Sequence, residues 1–214
     1  MEFAEAIRKE LSKELPGPEF QNRLAPGHTR PFPGQKVKAE AAVCLIILAG
    51  KSGNEIILTK RTTYDGHHSG QVSFPGGKRE QADKSLIDTA IRESFEETGI
   101  KPSREGYLGK LTPLLIPVSG FLVHPYVFIY RYTDEITFNI DRKEVEYIIL
   151  SDLKQLVKKS LIKKTTLRLD KSYYIITPYY AIKNEIVWGA TAMILSEFVE
   201  ILIRILKKNP RILS

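Results

Sequence analysis

The sequence predicts a mixed α/β fold built in layers. Three observations point to it. Residues 39–49 form a long apolar run, and a second at 55–61 follows across a glycine-bounded turn at 50–53, the pattern of two buried neighbouring strands. Residues 83–99 have helical periodicity, with apolar and acidic side chains on separate arcs. The chain closes with an amphipathic helix read from Ile186 onward and broken by Pro210.

The remaining elements follow in order. Residues 3–15 read as a short helix, stopped by Leu15-Pro16-Gly17-Pro18. Residues 25–34, rich in Pro and Gly, read as a loop; residues 1–34 are then an extension and 35–214 the main domain. Beyond the acidic helix, residues 106–115 and 123–132 read as strands separated by a loop at 117–120. A short strand at 148–150 leads into a helix at 151–159, and 167–169 with 173–176 suggest a hairpin around Asp170-Lys171. In the final helix Ile194, Phe198, Ile201, Leu202 and Ile205 form an apolar stripe, expected to pack on the parent domain, with a homodimer contact as the alternative.

Composition narrows the class. With 214 residues the chain can bury a full core without staples. The single cysteine, Cys44, lies inside the first apolar run and reads as a core residue, which fits a reducing compartment. Glu2, Glu5, Arg8, Lys9 and Glu10 interrupt any leader-like apolar stretch, and Glu197, Glu200 and Arg204 interrupt residues 190–206, so no membrane span is expected and the location expected is cytoplasmic. The net charge of +7 suits an anionic small molecule. Nucleic acid is not expected, because the lysine pairs lack interleaved aromatic residues.

The chemistry concentrates between Phe74 and Ile100. Glu93, Glu96 and Glu97 share one side of the helix, where like charges three and four apart repel and the C-terminal dipole disfavours them. A hard divalent cation, Mg²⁺ or Mn²⁺, would relieve both penalties. Asp83 is the expected N-cap and Gly99 the left-handed C-cap. Ile87, Ala90, Ile91, Ser94 and Phe95 form the arc expected to pack inward, and Arg92 is expected to fix one glutamate through a bidentate pair. Upstream, Gly76-Gly77 permits a tight turn whose free N–H groups suit phosphate. A glycine turn beside an acidic helix suggests a metal-bridged phosphate ester or anhydride.

These residues resemble the Nudix hydrolases, whose pattern is G-x5-E-x7-R-E-U-x-E-E-x-G-U, with U a bulky aliphatic. Gly77, Arg92, Glu93, Glu96, Glu97, Gly99 and Ile100 match. Asp83 stands for the first Glu, one extra residue precedes Arg92, and Ser94 replaces an aliphatic. The extra residue is familiar from the coenzyme A pyrophosphatase branch. That branch is similar upstream too, where Leu58, Thr59, Arg61, His68, Gly70, Val72 and Phe74 fall in register; Ile57, Thr62 and Asp65 depart from it. The stretch 187–195 resembles the branch's C-terminal pattern.

The resemblance implies an α/β/α sandwich with a mixed sheet and hydrolysis of a small-molecule diphosphate. Coenzyme A would yield 3′,5′-ADP and 4′-phosphopantetheine. It implies Glu93 and Glu97 as metal ligands, Glu96 ligating or assisting, and the Gly76 carbonyl completing the sphere, with Gly77 in the phosphate-holding turn. Glu144 is the implied general base, with Glu146 the alternative. Arg61 either clamps a phosphate or pairs with an acidic neighbour, and His68 serves phosphate or the glycine loop. Two other functions stay open: hydrolysis of another nucleoside diphosphate derivative (ADP-ribose, a dinucleotide) or a nucleoside triphosphate, and a non-catalytic nucleotide-binding module.

Overall fold

The computed structural model describes residues 2–27, 36–51, 53–63, 69–133, 135–168 and 174–213. Helix α1 (Glu2–Leu11) and the short α2 (Pro18–Gln21) precede strands β1 (Ala39–Gly50), β2 (Gly53–Arg61), β3 (Val72–Ser73) and β4 (Gly76–Lys78). Helix α3 (Leu86–Thr98) leads to β5 (Tyr107–Lys110), β6 (Leu114–Ile116), β7 (Phe121–Arg131) and β8 (Val145–Asp152). Helix α4 (Leu153–Leu156), β9 (Ile162–Arg168), β10 (Tyr174–Ile182), β11 (Glu185–Val187) and helix α5 (Gly189–Lys208) complete the order.

Strand β1 is the centre of an eight-stranded mixed sheet ordered β3-β2-β1-β7-β5, with β4 on β1, β6 on β7 and β8 on β2. Its pairing with β7 is parallel from Ala39↔Phe121 to Ala49↔Arg131, and with β2 antiparallel, closing at Gly50↔Gly53 as the turn signal predicts. Strands β9, β10 and β11 form a separate three-stranded antiparallel sheet among the described residues.

The alternation within β1 builds both cores. Ala41, Leu45 and Ile47 face a cluster containing α1 and α5, whereas Ala42, Cys44, Ile46 and Leu48 face one containing α3. A central strand covered on both faces must be apolar throughout, which explains why it reads as a continuous run. The layers are therefore helix, sheet, helix. The stripe Ile194, Phe198, Ile201, Leu202 and Ile205 is buried in the first cluster, so this face packs on its own domain.

Several boundaries differ from the sequence reading. Helix α1 ends at Leu11, before the Pro-Gly signal. The strand expected at 106–115 divides into β5 and β6, both on β7: the Leu111 N–H still reaches the Pro125 carbonyl of β7, whereas Thr112 turns its N–H and Oγ1 to Glu197. The helix expected at 151–159 has four residues. Ile186 lies in strand β11, paired to Ala181, and the final helix starts at Gly189. Asp170 and Lys171 lie outside the described residues. Among the described residues no helix is long and apolar enough to cross a membrane.

Glu197, read from sequence as a charge breaking an apolar helix, is fully buried in α5. Its carboxylate accepts hydrogen bonds from the Gly17 N–H (3.2 Å), Gln21 Nε2 (2.8 Å), the Thr112 N–H (3.2 Å) and Thr112 Oγ1 (2.7 Å). It ties the N-terminal segment and the β5–β6 connection to α5. Buried charge is tolerated when its lone pairs are satisfied in this way.

Candidate active site

Helix α3 begins one turn into the acidic segment. Ser85, in extended conformation, is the N-cap, and Asp83 is not. The Asp83 carboxylate instead accepts from the Glu80 N–H, Thr89 Oγ1 and Arg92, whose Nε and Nη2 meet Oδ1 and Oδ2 at 3.0 Å each. The Arg92 fork thus fits Asp83 rather than a glutamate, because Asp83 presents both oxygens edge-on to it. Single bonds from Nη1 reach Glu93 (3.0 Å) and Glu96 (2.8 Å), and Nη2 reaches the Lys78 carbonyl at 3.2 Å. The Arg92 guanidinium holds the Asp83 carboxyl down at about 2. At the other end Gly99 caps the helix with φ 76° and donates its N–H to the Phe95 carbonyl.

The inward arc of α3 buries Ala90 and Ser94, but Phe95 is 53% exposed while Glu97 is 2% exposed. At ~100° per residue, Phe95 lies about 90° from the centre of the Ile87–Ala90–Ile91–Ser94 arc and Glu97 about 70° on its other side. The helix is rolled toward the carboxylate. Ser94, where the family pattern has an aliphatic, donates to the Ile100 carbonyl at 2.7 Å. It also hydrogen-bonds the Cys44 thiol, whose pKa burial pushes up.

The glycine turn meets Glu93 and Glu97 directly. Strand β4 pairs with β1 through Val43↔Gly76 and Ala42↔Gly77. A Cβ at Gly77 would run into the Glu93 carboxylate, so glycine here makes room for it. The Gly76 N–H donates to the Glu97 carboxylate. Thr59 Oγ1 lies 3.3 Å from Glu97 Oε2 and 3.2 Å from Ser73 Oγ. Glu97 Oε1 is buried with no hydrogen-bond partner among the described residues. Burial pushes the Glu97 carboxyl up to about 8, against the pull of Arg61 and with added repulsion from Glu93 and Glu144. Burial also raises Glu93, against its pairing with Arg92.

Strand pairing delivers the other two groups. Strand β8 runs antiparallel to β2 with Arg61 opposite Val145, after a register shift between Lys60 and Arg61. The Thr62 N–H donates to the Glu144 carbonyl at 2.9 Å, fixing the start of β8. Arg61 consequently stands between two carboxylates, Nη1 3.8 Å from Glu97 Oε1 and Nη2 3.9 Å from Glu144 Oε2. Glu146 is exposed, and no ion pair joins it to Arg61 among the described residues. His68 lies outside the described residues.

The structure therefore gathers Glu93, Glu97, Glu144, Arg61 and the Gly76-Gly77 turn, and leaves Glu96 exposed on Arg92. Among the described residues no three acidic, His or Cys side chains are already drawn into a ligating cluster. Yet the donors fit a hard divalent ion: all are oxygens, one is buried and unpartnered, and burial, with repulsion added, raises the Glu93 and Glu97 carboxyls. Thr59 and Ser73, which steady Glu97, were not singled out by the sequence. Thr59 falls within the upstream motif, but only the fold brings Ser73 beside it.

Residues 38–170 match the NUDIX domain family. A Yersinia enterocolitica protein named Uncharacterized Nudix hydrolase NudL is 33% identical over 168 residues, 78% of this chain and 84% of that one. Nudix hydrolase 22, chloroplastic, of Arabidopsis thaliana is 38% identical over 125 residues, 55% of this chain and 39% of that one. Among solved structures, a MutT/nudix family protein from Enterococcus faecalis covers 84% of this chain and 70% of its own at 15% identity, with a TM-score of 0.54, a likeness of fold. The glycine turn and acidic helix described above fall within the matched region, and the NudL relative extends the likeness along most of both chains. The chain belongs to the Nudix hydrolases and is a diphosphohydrolase.

Proposed function

We propose that this enzyme cleaves the diphosphate bond of coenzyme A or its derivatives, giving 3′,5′-ADP and 4′-phosphopantetheine, with Mg²⁺ or Mn²⁺ as cofactor. The upstream motif carries this reading. Thr59 and Arg61 fall in register with the coenzyme A branch, and both side chains face Glu97, at 3.3 Å and 3.8 Å. A motif that merely decorated the surface would have no reason to converge on the buried carboxylate.

Glu93 and Glu97 would hold the ion, with the Gly76 carbonyl and Glu96 contributing. Bound there, a divalent ion supplies charge neutralisation at the diphosphate and makes water more acidic. The chain's own residues supply the rest. Glu144, half-exposed beside Arg61, would accept a proton from the attacking water on Oε1 or Oε2. Arg61 offers a planar fork to a phosphate. Arg92 fixes Glu93 and Glu96 from behind, and Gly77 leaves the space Glu93 occupies.

A second reading, another nucleoside diphosphate derivative as substrate, is favoured by Asp65, which stands where the branch motif carries Leu. Comparing kcat/KM for coenzyme A, ADP-ribose and a dinucleoside polyphosphate separates the two. Preference for coenzyme A, with both predicted products, supports the proposal. Cleavage of the others alone would replace it with the second reading. Nucleotide binding without turnover at saturating Mg²⁺ would favour a non-catalytic module.

A further inference from the structure

Two arginines serve the acidic helix in opposite ways. Arg92 is fully engaged, with five hydrogen bonds between 2.8 and 3.2 Å beside a longer approach to Glu80. Arg61 is not. It stops 3.8 Å from Glu97 and 3.9 Å from Glu144, well beyond the ~2.7–2.9 Å of a charged hydrogen bond. Among the described residues its Nε is buried without a partner, and so is the facing Glu97 Oε1. A guanidinium and a carboxyl, both unsatisfied, side by side and not joined, form a poor resting pair.

The surroundings make Arg61 the local counter-charge. Glu93, Glu97 and Glu144 repel one another, and Arg92 already serves Glu93. Lys60, the preceding residue, is held by Glu185 at 2.6 Å. Among the described residues no other cation pairs with Glu97 or Glu144.

We propose that Arg61 is a displaceable counter-ion. It neutralises Glu97 and Glu144 loosely until a divalent ion takes Glu97, and the released guanidinium then becomes available to a phosphate of the substrate. Metal loading thereby precedes and enables Arg61's contact with substrate. This rests on Glu97 being a metal ligand, as in the proposed function. The physical basis is direct: a divalent ion carries twice the charge and binds carboxylate oxygen at closer range, whereas a planar guanidinium matches phosphate bidentately.

Two measurements test it without coenzyme A. The first is phenylglyoxal labelling of the wild-type protein, with modification at each arginine quantified by peptide mass spectrometry. Labelling of Arg61 should rise on adding Mn²⁺ and fall again when inorganic pyrophosphate is added, while Arg92 stays protected throughout. Arg61 labelling indifferent to Mn²⁺ overturns the proposal. The second is calorimetric Mn²⁺ titration of wild type, Arg61→Gln and Arg61→Lys. Removing the competing charge should tighten Mn²⁺ binding about three- to tenfold in Arg61→Gln, with Arg61→Lys near wild type. Unchanged or weaker binding in Arg61→Gln overturns it. Should Arg61→Gln fail to fold, the wild-type labelling decides alone. A failure of coenzyme A cleavage would leave both results standing, and failure here would leave the substrate reading standing.

Discussion

Arg92 meets Asp83 edge to edge, Nε on Oδ1 and Nη2 on Oδ2, each at 3.0 Å. The pair anchors the loop after β4 to the middle of α3, so the glycine turn and the glutamates are held in one frame. Because Arg92 lowers the Asp83 carboxyl from 3.8 to about 2, this group's stabilisation is fully present above pH 3.8 and lost as pH falls through about 2. Asp83→Asn should cost roughly 2 kcal/mol at neutral pH. In urea unfolding, the gap between wild type and variant should close between about pH 4 and pH 2. A pH-independent gap would show that the charge is not what matters.

Gly77 is the point where the turn makes room for the Glu93 carboxylate. Gly77→Ala should push the Glu93 carboxylate aside, lowering turnover by about 10²-fold or more and weakening Mn²⁺ binding. Circular dichroism should be unchanged. Native turnover would mean that the turn has slack that the closeness of Glu93 does not suggest.

How much of this was legible beforehand follows from where each signal resides. The two central strands, the C-cap at Gly99 and the inward stripe of α5 depend on local periodicity and a single glycine, and all appear where the sequence puts them. The roles of Asp83 and Phe95 were misread because both depend on how α3 sits against its neighbours. An Asp before a helix caps it only if no better partner exists, and here Arg92, one helical face away, is that partner. Phe95 and Glu97 flank the same arc, so only the roll of the helix decides which is buried. Arg61 and Glu144 are 83 positions apart, and the β2–β8 register that joins them has no local signature.

Glu144→Gln keeps size and hydrogen-bonding shape but removes the proton acceptor. It should lower kcat by about 10²- to 10⁴-fold without altering Mn²⁺ affinity. An unaltered rate would remove Glu144 as base, and the same substitution at Glu146 would then be the next to measure.

Glu197 shows what a buried charge contributes when it is fully satisfied. Glu197→Ala would orphan the Gly17 and Thr112 N–H groups and loosen the N-terminal segment from α5. The expected cost is roughly 3 kcal/mol or more in chemical denaturation. A change under about 1 kcal/mol would indicate that water replaces the carboxylate without penalty.

In the proposed function the buried, half-satisfied Glu97 carboxylate holds the ion on which hydrolysis depends. That role is tested most directly by Glu97→Gln, assayed for diphosphate cleavage and for Mn²⁺ binding on the same folded sample. Turnover and high-affinity Mn²⁺ binding should be lost together, with the unfolding transition retained. Near-native turnover in Glu97→Gln would contradict that role.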